Sequence, residues 1–202
     1  MNQCKKPSGL LGKFVLWTMN KRHGGVTDWG LTHVDIGQSD VILDVGCGGG
    51  RTVGKLAARA SAGRVVGIDY SGESVRASQR ENAELIGRGR VAIEQASVSL
   101  LPFPDDTFDL VTAIETHFWW PNLPQDMVEV HRVVKPGGRI AIIAEFYNGG
   151  KHTKYAGRLS GVVGIASLTL DEHRALLERA GFSTLEIIEE PARGWLCALG
   201  TK

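Results

Sequence analysis

The chain has 202 residues, with 23 Lys plus Arg against 22 Asp plus Glu and 43% hydrophobic residues. That length suits one packed core, and the near-zero charge balance gives no basic face for a nucleic acid or an anionic membrane. The three cysteines, Cys4, Cys47 and Cys197, show no CxxC spacing, so neither a disulfide framework nor a metal site is expected.

The first 39 residues read as an N-terminal helical extension, a lid or cap. Leu10, Leu11, Phe14, Val15 and Trp17 recur at helical spacing over residues 8–20, with Ser8 as N-cap. A second short helix is expected over 27–33, and Met19, Asn20 and His23 are candidates to close over a ligand. No apolar run reaches the ~20 residues of a membrane span, and no signal-peptide pattern opens the chain. A cytoplasmic protein is the expectation.

From residue 40 to 202 a second pattern sets in. Short, β-branched apolar runs at Val41–Val45, Arg64–Asp69, 91–94, Phe108–Ile114 and 138–144 alternate with helical stretches at 52–60, 74–86 and 125–134. Strands apolar on both faces, each followed by a helix, predict βαβ units and a parallel sheet. Lys135-Pro-Gly-Gly138 is expected to cap the third of those helices, with glycine supplying a positive φ. A polar loop runs to residue 160, and a helix is expected over 171–180. Strands at 184–189 and 195–199, joined by a Pro191–Gly194 turn, should pair antiparallel. The fold class is therefore α/β, a doubly wound, Rossmann-like sheet of about seven strands with its last hairpin antiparallel.

Chemistry concentrates where the first strand ends. Ile42-Leu-Asp-Val-Gly-Cys-Gly-Gly-Gly50 is a strand running into a glycine loop and then a helix, which lets backbone amides approach a ligand. A dinucleotide fingerprint requires a third glycine where this chain has Arg51, and a P-loop requires a lysine before Thr52 where it again has Arg51. What remains is a DxGxGxG loop with Asp44 inside the strand. Asp69 ends the next strand, where a carboxylate reaches a ribose diol and would repel a 2′-phosphate. A third motif, Gln95-Ala-Ser-Val-Ser-Leu-Leu-Pro-Phe-Pro-Asp-Asp-Thr-Phe-Asp-Leu-Val111, combines a loop, a turn and a strand.

With these three motifs in order, the chain resembles the methyltransferase type 11 family, the class I enzymes dependent on S-adenosylmethionine that include the ubiquinone and menaquinone biosynthesis C-methyltransferases. The resemblance spans roughly residues 41–144, with an echo at Arg179-Ala-Gly-Phe182. It implies S-adenosylmethionine as cofactor, with Asp44 among the residues that bind it, Gly46, Cys47 and Gly48 at its methionine end, Asp69 on the ribose and Tyr70 packed on the adenine. The family's usual aspartate for the adenine amino group is replaced by Ser97, so Ser97 or the Val98 backbone would hold that edge. Glu115 stands where the family has an apolar or small residue, as a counter-charge to the ammonium or sulfonium.

Methyl transfer from a sulfonium is an in-line displacement that requires no protein nucleophile. A base is needed when the acceptor loses a proton, and His117 is the candidate by position. Phe118, Trp119, Trp120 and Trp17 are candidates for an aromatic wall over the acceptor. The expected function is methyl transfer to a small-molecule acceptor, releasing S-adenosylhomocysteine; the alternative is a regulatory or partner protein that binds the cofactor without turnover. Whether oxygen, nitrogen, carbon or sulfur is methylated, and the oligomeric state, are left open by the sequence.

Overall fold

A computed structural model describes residues 24–153 and 166–202. The helix expected over 8–20, Cys4, Trp17, the lid candidates Met19, Asn20 and His23, and the loop residues Lys154, Tyr155 and Arg158 lie outside that range.

Helix α1 (Gly24–Leu31) precedes strand β1 (Val41–Val45), α2 (Arg51–Arg59), β2 (Arg64–Asp69), α3 (Gly72–Glu81), α4 (Ala83–Gly87), β3 (Val91–Gln95) and β4 (Phe108–Ile114). A single 3₁₀ turn (His117–Trp119), α5 (Leu123–Val133), β5 (Val134–Ala144), α6 (Leu170–Ala180), β6 (Ser183–Glu190) and β7 (Trp195–Thr201) follow. The seven strands form one sheet in the order β3-β2-β1-β4-β5-β7-β6. The first five run parallel, and β7 lies antiparallel between β5 and β6, as the sequence predicts.

Period-two alternation divides the core between the two faces of the sheet. Ile42, Leu110 and Ile143 join Leu31 of α1, Leu56 of α2 and Val75 of α3 on one side. On the other, Leu43, Val111 and Ile142 meet Met127 and Val130 of α5 and Leu177 of α6. Strand order reverses between β1 and β4, and the crevice outside their carboxyl ends is where open α/β sheets bind ligands. Among the described residues no helix is long and apolar enough to cross a membrane.

Two local expectations need correction. The helix expected over 74–86 is two helices, because Asn82 leaves helical geometry at φ −107°, ψ 19°. Its buried side chain donates to the Gly50 and Ser78 carbonyls, both at 3.0 Å. In addition, Lys135-Pro-Gly-Gly138 does not cap α5. Val134 already turns extended at ψ 135°, and Gly137, at φ +77°, lies within β5 where its register with β4 shifts. Lys135, preceding proline, is biased towards extended backbone, so the segment continues into the strand.

Helix α6 carries a capping box: Thr169 accepts from the Glu172 N–H at 3.1 Å, and Glu172 accepts from the Thr169 N–H at 2.7 Å. Gly181 ends it at φ +103°. Thr169→Ala is expected to lower stability by about 1 kcal/mol, read as a reduced urea midpoint with an unchanged slope.

Candidate functional site

The glycine loop is held by its own backbone. The Gly46 and Cys47 N–H groups both donate to the Ile68 carbonyl, at 2.8 and 2.9 Å, and the Gly50 N–H donates to the Cys47 carbonyl at 2.9 Å. Such a turn forces Gly46, Gly48 and Gly50 to positive φ, at 79°, 52° and 88°, a region glycine enters without steric cost. Thr116, just past β4, donates its hydroxyl to the Val45 carbonyl at 2.8 Å. The ends of β1 and β4 are thereby joined.

Asp69 ends β2 beside this loop. Its carboxylate accepts from the Gly48 N–H at 2.9 Å and the Ser71 N–H at 2.8 Å, which fixes the group at the edge of the crevice. Burial raises its pKa from the ordinary carboxylate range, against the Ser71 and Gly48 N–H bonds that lower it. Behind the loop, Asp44 is buried and accepts from the Thr112 hydroxyl at 2.7 Å. Burial pushes Asp44 up to about 7; the Thr112 bond opposes this, and the charge on Asp69 adds to it. The Cys47 thiol, 3.7 Å from the Ser78 hydroxyl, is raised well above the ordinary range by burial and by both aspartates. It is a reduced packing residue and a poor nucleophile.

The other residues expected at the site divide between the two sides of this centre. Tyr70 follows Asp69 and is 60% exposed. Ser97 lies past β3; its hydroxyl accepts from the Ser99 N–H at 3.2 Å, and Val98 is buried in the core. Glu115 is buried at φ +61°, a costly conformation for a non-glycine residue and one concentrated at functional sites. Its carboxylate accepts from the Glu145 N–H and its own N–H donates to the Ile143 carbonyl, tying the ends of β4 and β5. His117 is buried and pairs with His173 of α6. Phe118 packs on Phe146, with ring centroids 4.7 Å apart, and on Trp119 at 5.7 Å, whereas the partly buried Trp120 packs against the larger core cluster. Phe118, Trp119 and Phe146 thus form one aromatic cluster past β4 and β5.

Sequence reasoning missed Thr112, Thr116, Asn82 and His173. Thr112 and Asn82 carried a signal: a polar residue inside an apolar strand or a helix needs a partner once buried. These residues fit a cationic adenosyl ligand. A Cβ on Gly48 would meet nothing nearer than the Gly46 carbonyl oxygen at 4.0 Å, so backbone can approach a ligand there. Two interacting carboxylates at the loop favour a positive group over a phosphate.

A family model described as a methyltransferase domain matches residues 43–142. The chain is 32% identical over 165 residues to Methyltransferase GfsG of Streptomyces halstedii, covering 77% of this chain and 57% of that protein. It is 37% identical over 103 residues to the ubiquinone/menaquinone biosynthesis C-methyltransferase UbiE of Geotalea daltonii, covering 50% and 44%. The chain thus spans about half the length of the curated relatives it matches. In fold it is similar to a SAM-dependent methyltransferase of Aquifex aeolicus, with TM-score 0.71, 21% identity and coverage of 87% and 88%. With its glycine loop, its strand-end aspartate and its seven-stranded sheet, the chain carries a methyltransferase domain of the type 11 family over residues 43–142.

Proposed function

We propose that the chain transfers a methyl group from S-adenosylmethionine to a small-molecule acceptor, releasing S-adenosylhomocysteine. The observation that carries this reading is the Asp69 carboxylate, fixed by the Gly48 and Ser71 N–H groups beside the glycine loop. Held there, it has lone pairs left to accept from both hydroxyls of a ribose. The cofactor supplies an electrophilic methyl group; the chain supplies position.

In this reading the Gly46, Cys47 and Gly48 backbone lines the methionine end, with Asp44 as the negative charge behind it. Tyr70 offers a ring face to adenine, and Ser97 or the Val98 backbone meets its edge. Glu115 supplies a further negative charge close to the crevice for the ammonium or sulfonium. Alignment of donor and acceptor can contribute ~7–11 kcal/mol of barrier lowering at best. A small acceptor is supported by the UbiE-type relative, named for quinone biosynthesis, and by the aromatic pair Phe118–Phe146.

Calorimetric titration with S-adenosylmethionine, S-adenosylhomocysteine and NAD tests the cofactor. Both adenosyl ligands should bind and NAD should not. Asp69→Ala should weaken both by about 100-fold, or about 2.7 kcal/mol, the scale of one or two hydrogen bonds to a charged acceptor. Equal affinity in parent and variant would remove Asp69 from the ribose. Binding without S-adenosylhomocysteine release across an acceptor panel would favour a cofactor-binding regulator.

A further inference from the structure

His117 opens the 3₁₀ turn, directly after the Thr116 that packs on the glycine loop. Its imidazole is 2% exposed, and Nδ1 has no hydrogen-bond partner among the described residues. Its Nε2 lies 3.0 Å from Nε2 of His173, whose Nδ1 lies 2.7 Å from the Thr169 carbonyl oxygen. A carbonyl only accepts, so His173 carries a proton on Nδ1 and, when neutral, a lone pair on Nε2. His117 must then donate from Nε2, which leaves its own lone pair on Nδ1. Burial lowers the proton affinity of both rings, and the adjacent His173 lowers that of His117 further. Both are neutral near pH 7.

The pair is held from several sides. The Ala166 N–H donates to the Phe118 carbonyl at 3.0 Å and the Asn148 N–H to the Leu168 carbonyl at 2.7 Å, which docks the approach to α6 against the 3₁₀ turn. The capping box then fixes Thr169. The charged group acting on His173 is Glu172, whose negative charge raises that ring's proton affinity.

We propose that His117 and His173 form a hydrogen-bonded base dyad serving methylation of an O–H or N–H acceptor, with His117 the catalytic base and His173 the positioning residue. It rests on the methyltransferase reading above. The acceptor atom forms a bond to the methyl carbon as the carbon–sulfur bond breaks onto sulfur. The acceptor's X–H electron pair stays on X, and its proton passes to Nδ1 of His117. The positive charge that results is shared with His173 through the Nε2–Nε2 hydrogen bond. Tautomer fixation by a second group is how a histidine base is kept in its working form.

The test uses the full chain, ¹⁵N-labelled and loaded with S-adenosylhomocysteine, in long-range ¹H–¹⁵N spectra assigned with His117→Asn and His173→Asn. His117 should appear as the Nε2–H tautomer and His173 as Nδ1–H. His173→Phe should let His117 interconvert between tautomers, and His173→Gln, whose amide oxygen can accept, should restore the fixed form. A proton on Nδ1 of His117 in the parent, or no response to His173→Phe, overturns the dyad. A second arm follows S-adenosylhomocysteine release with phenol, catechol, a primary amine, a thioether and a carbon acid. With the protic acceptors, His117→Phe should lower kcat at least 100-fold. His173→Phe should lower it about tenfold and shift the pH profile of kcat, with recovery in His173→Gln. Equal rates in His117→Phe, or turnover confined to the thioether or carbon acid, overturn the proposal. If the parent binds S-adenosylmethionine but turns over none of the panel, the tautomer spectra decide. Failure to bind the cofactor would instead defeat the methyltransferase reading and leave the tautomer result standing.

Discussion

Asp44→Asn is expected to make the protein more stable than the parent at pH 8, with the advantage shrinking steadily as the pH falls to 4. The carboxyl is buried against the Thr112 hydroxyl and titrates at about 7 in the folded chain, above an ordinary value of 3.8. Between those values the folded state holds a proton that the unfolded state has released. Stability therefore falls as pH rises from about 4 to about 7 and levels off above. At 1.36 kcal/mol per unit, the full span corresponds to about 4 kcal/mol, a large share of the ~5–15 kcal/mol that holds a domain together. Asparagine has no charge to bury, and its carbonyl still accepts from Thr112. Urea midpoints of both proteins between pH 4 and 8 check this; parallel profiles would mean that Asp44 does not carry the burial penalty assigned to it. S-adenosylmethionine affinity should move the opposite way, falling in the asparagine variant. A carboxylate that destabilises the free fold is explained if it answers the cofactor's positive charge.

Much of this arrangement is legible in the sequence because burial on both faces leaves a mark. A parallel strand such as Ile42-Leu43 must feed two cores at once, so it reads as a continuous apolar run. Glycines forced to positive φ, and an acid that ends the following strand, are similarly local signals. What escaped depends on contacts between distant segments. The break at Asn82 exists because its side chain reaches Gly50, 32 residues earlier; local periodicity carries straight through it. His173 stands 56 residues from His117 and looks like an ordinary core position of an amphipathic helix. Glu115 was visible as an unusual residue, but its bond to the Glu145 N–H appears only once β4 and β5 lie side by side.

The loop glycines are expected to divide stability from binding. At Gly46 an added Cβ would lie 2.5 Å from the Thr116 methyl group and 2.8 Å from its Cβ, at φ +79°. Both penalties act in the free protein: left-handed backbone costs an L-residue roughly 1–2 kcal/mol, and overpacking adds about 1–3 kcal/mol. Gly46→Ala should therefore lose about 3 kcal/mol of folding stability. Thr116 would also be pushed from the Val45 carbonyl that joins β1 to β4. Gly48→Ala meets only the Gly46 carbonyl oxygen, 4.0 Å away, at φ +52°, so it should cost roughly 1 kcal/mol from backbone conformation alone. Its methyl group would instead occupy space through which the cofactor approaches the loop, weakening S-adenosylmethionine binding by more than tenfold in a protein that still unfolds cooperatively. Measuring urea midpoints and cofactor affinity on both variants separates the two roles. If Gly48→Ala bound as tightly as the parent, the methionine end of the cofactor would not lie over this glycine, and the loop would serve only to turn the chain from β1 into α2.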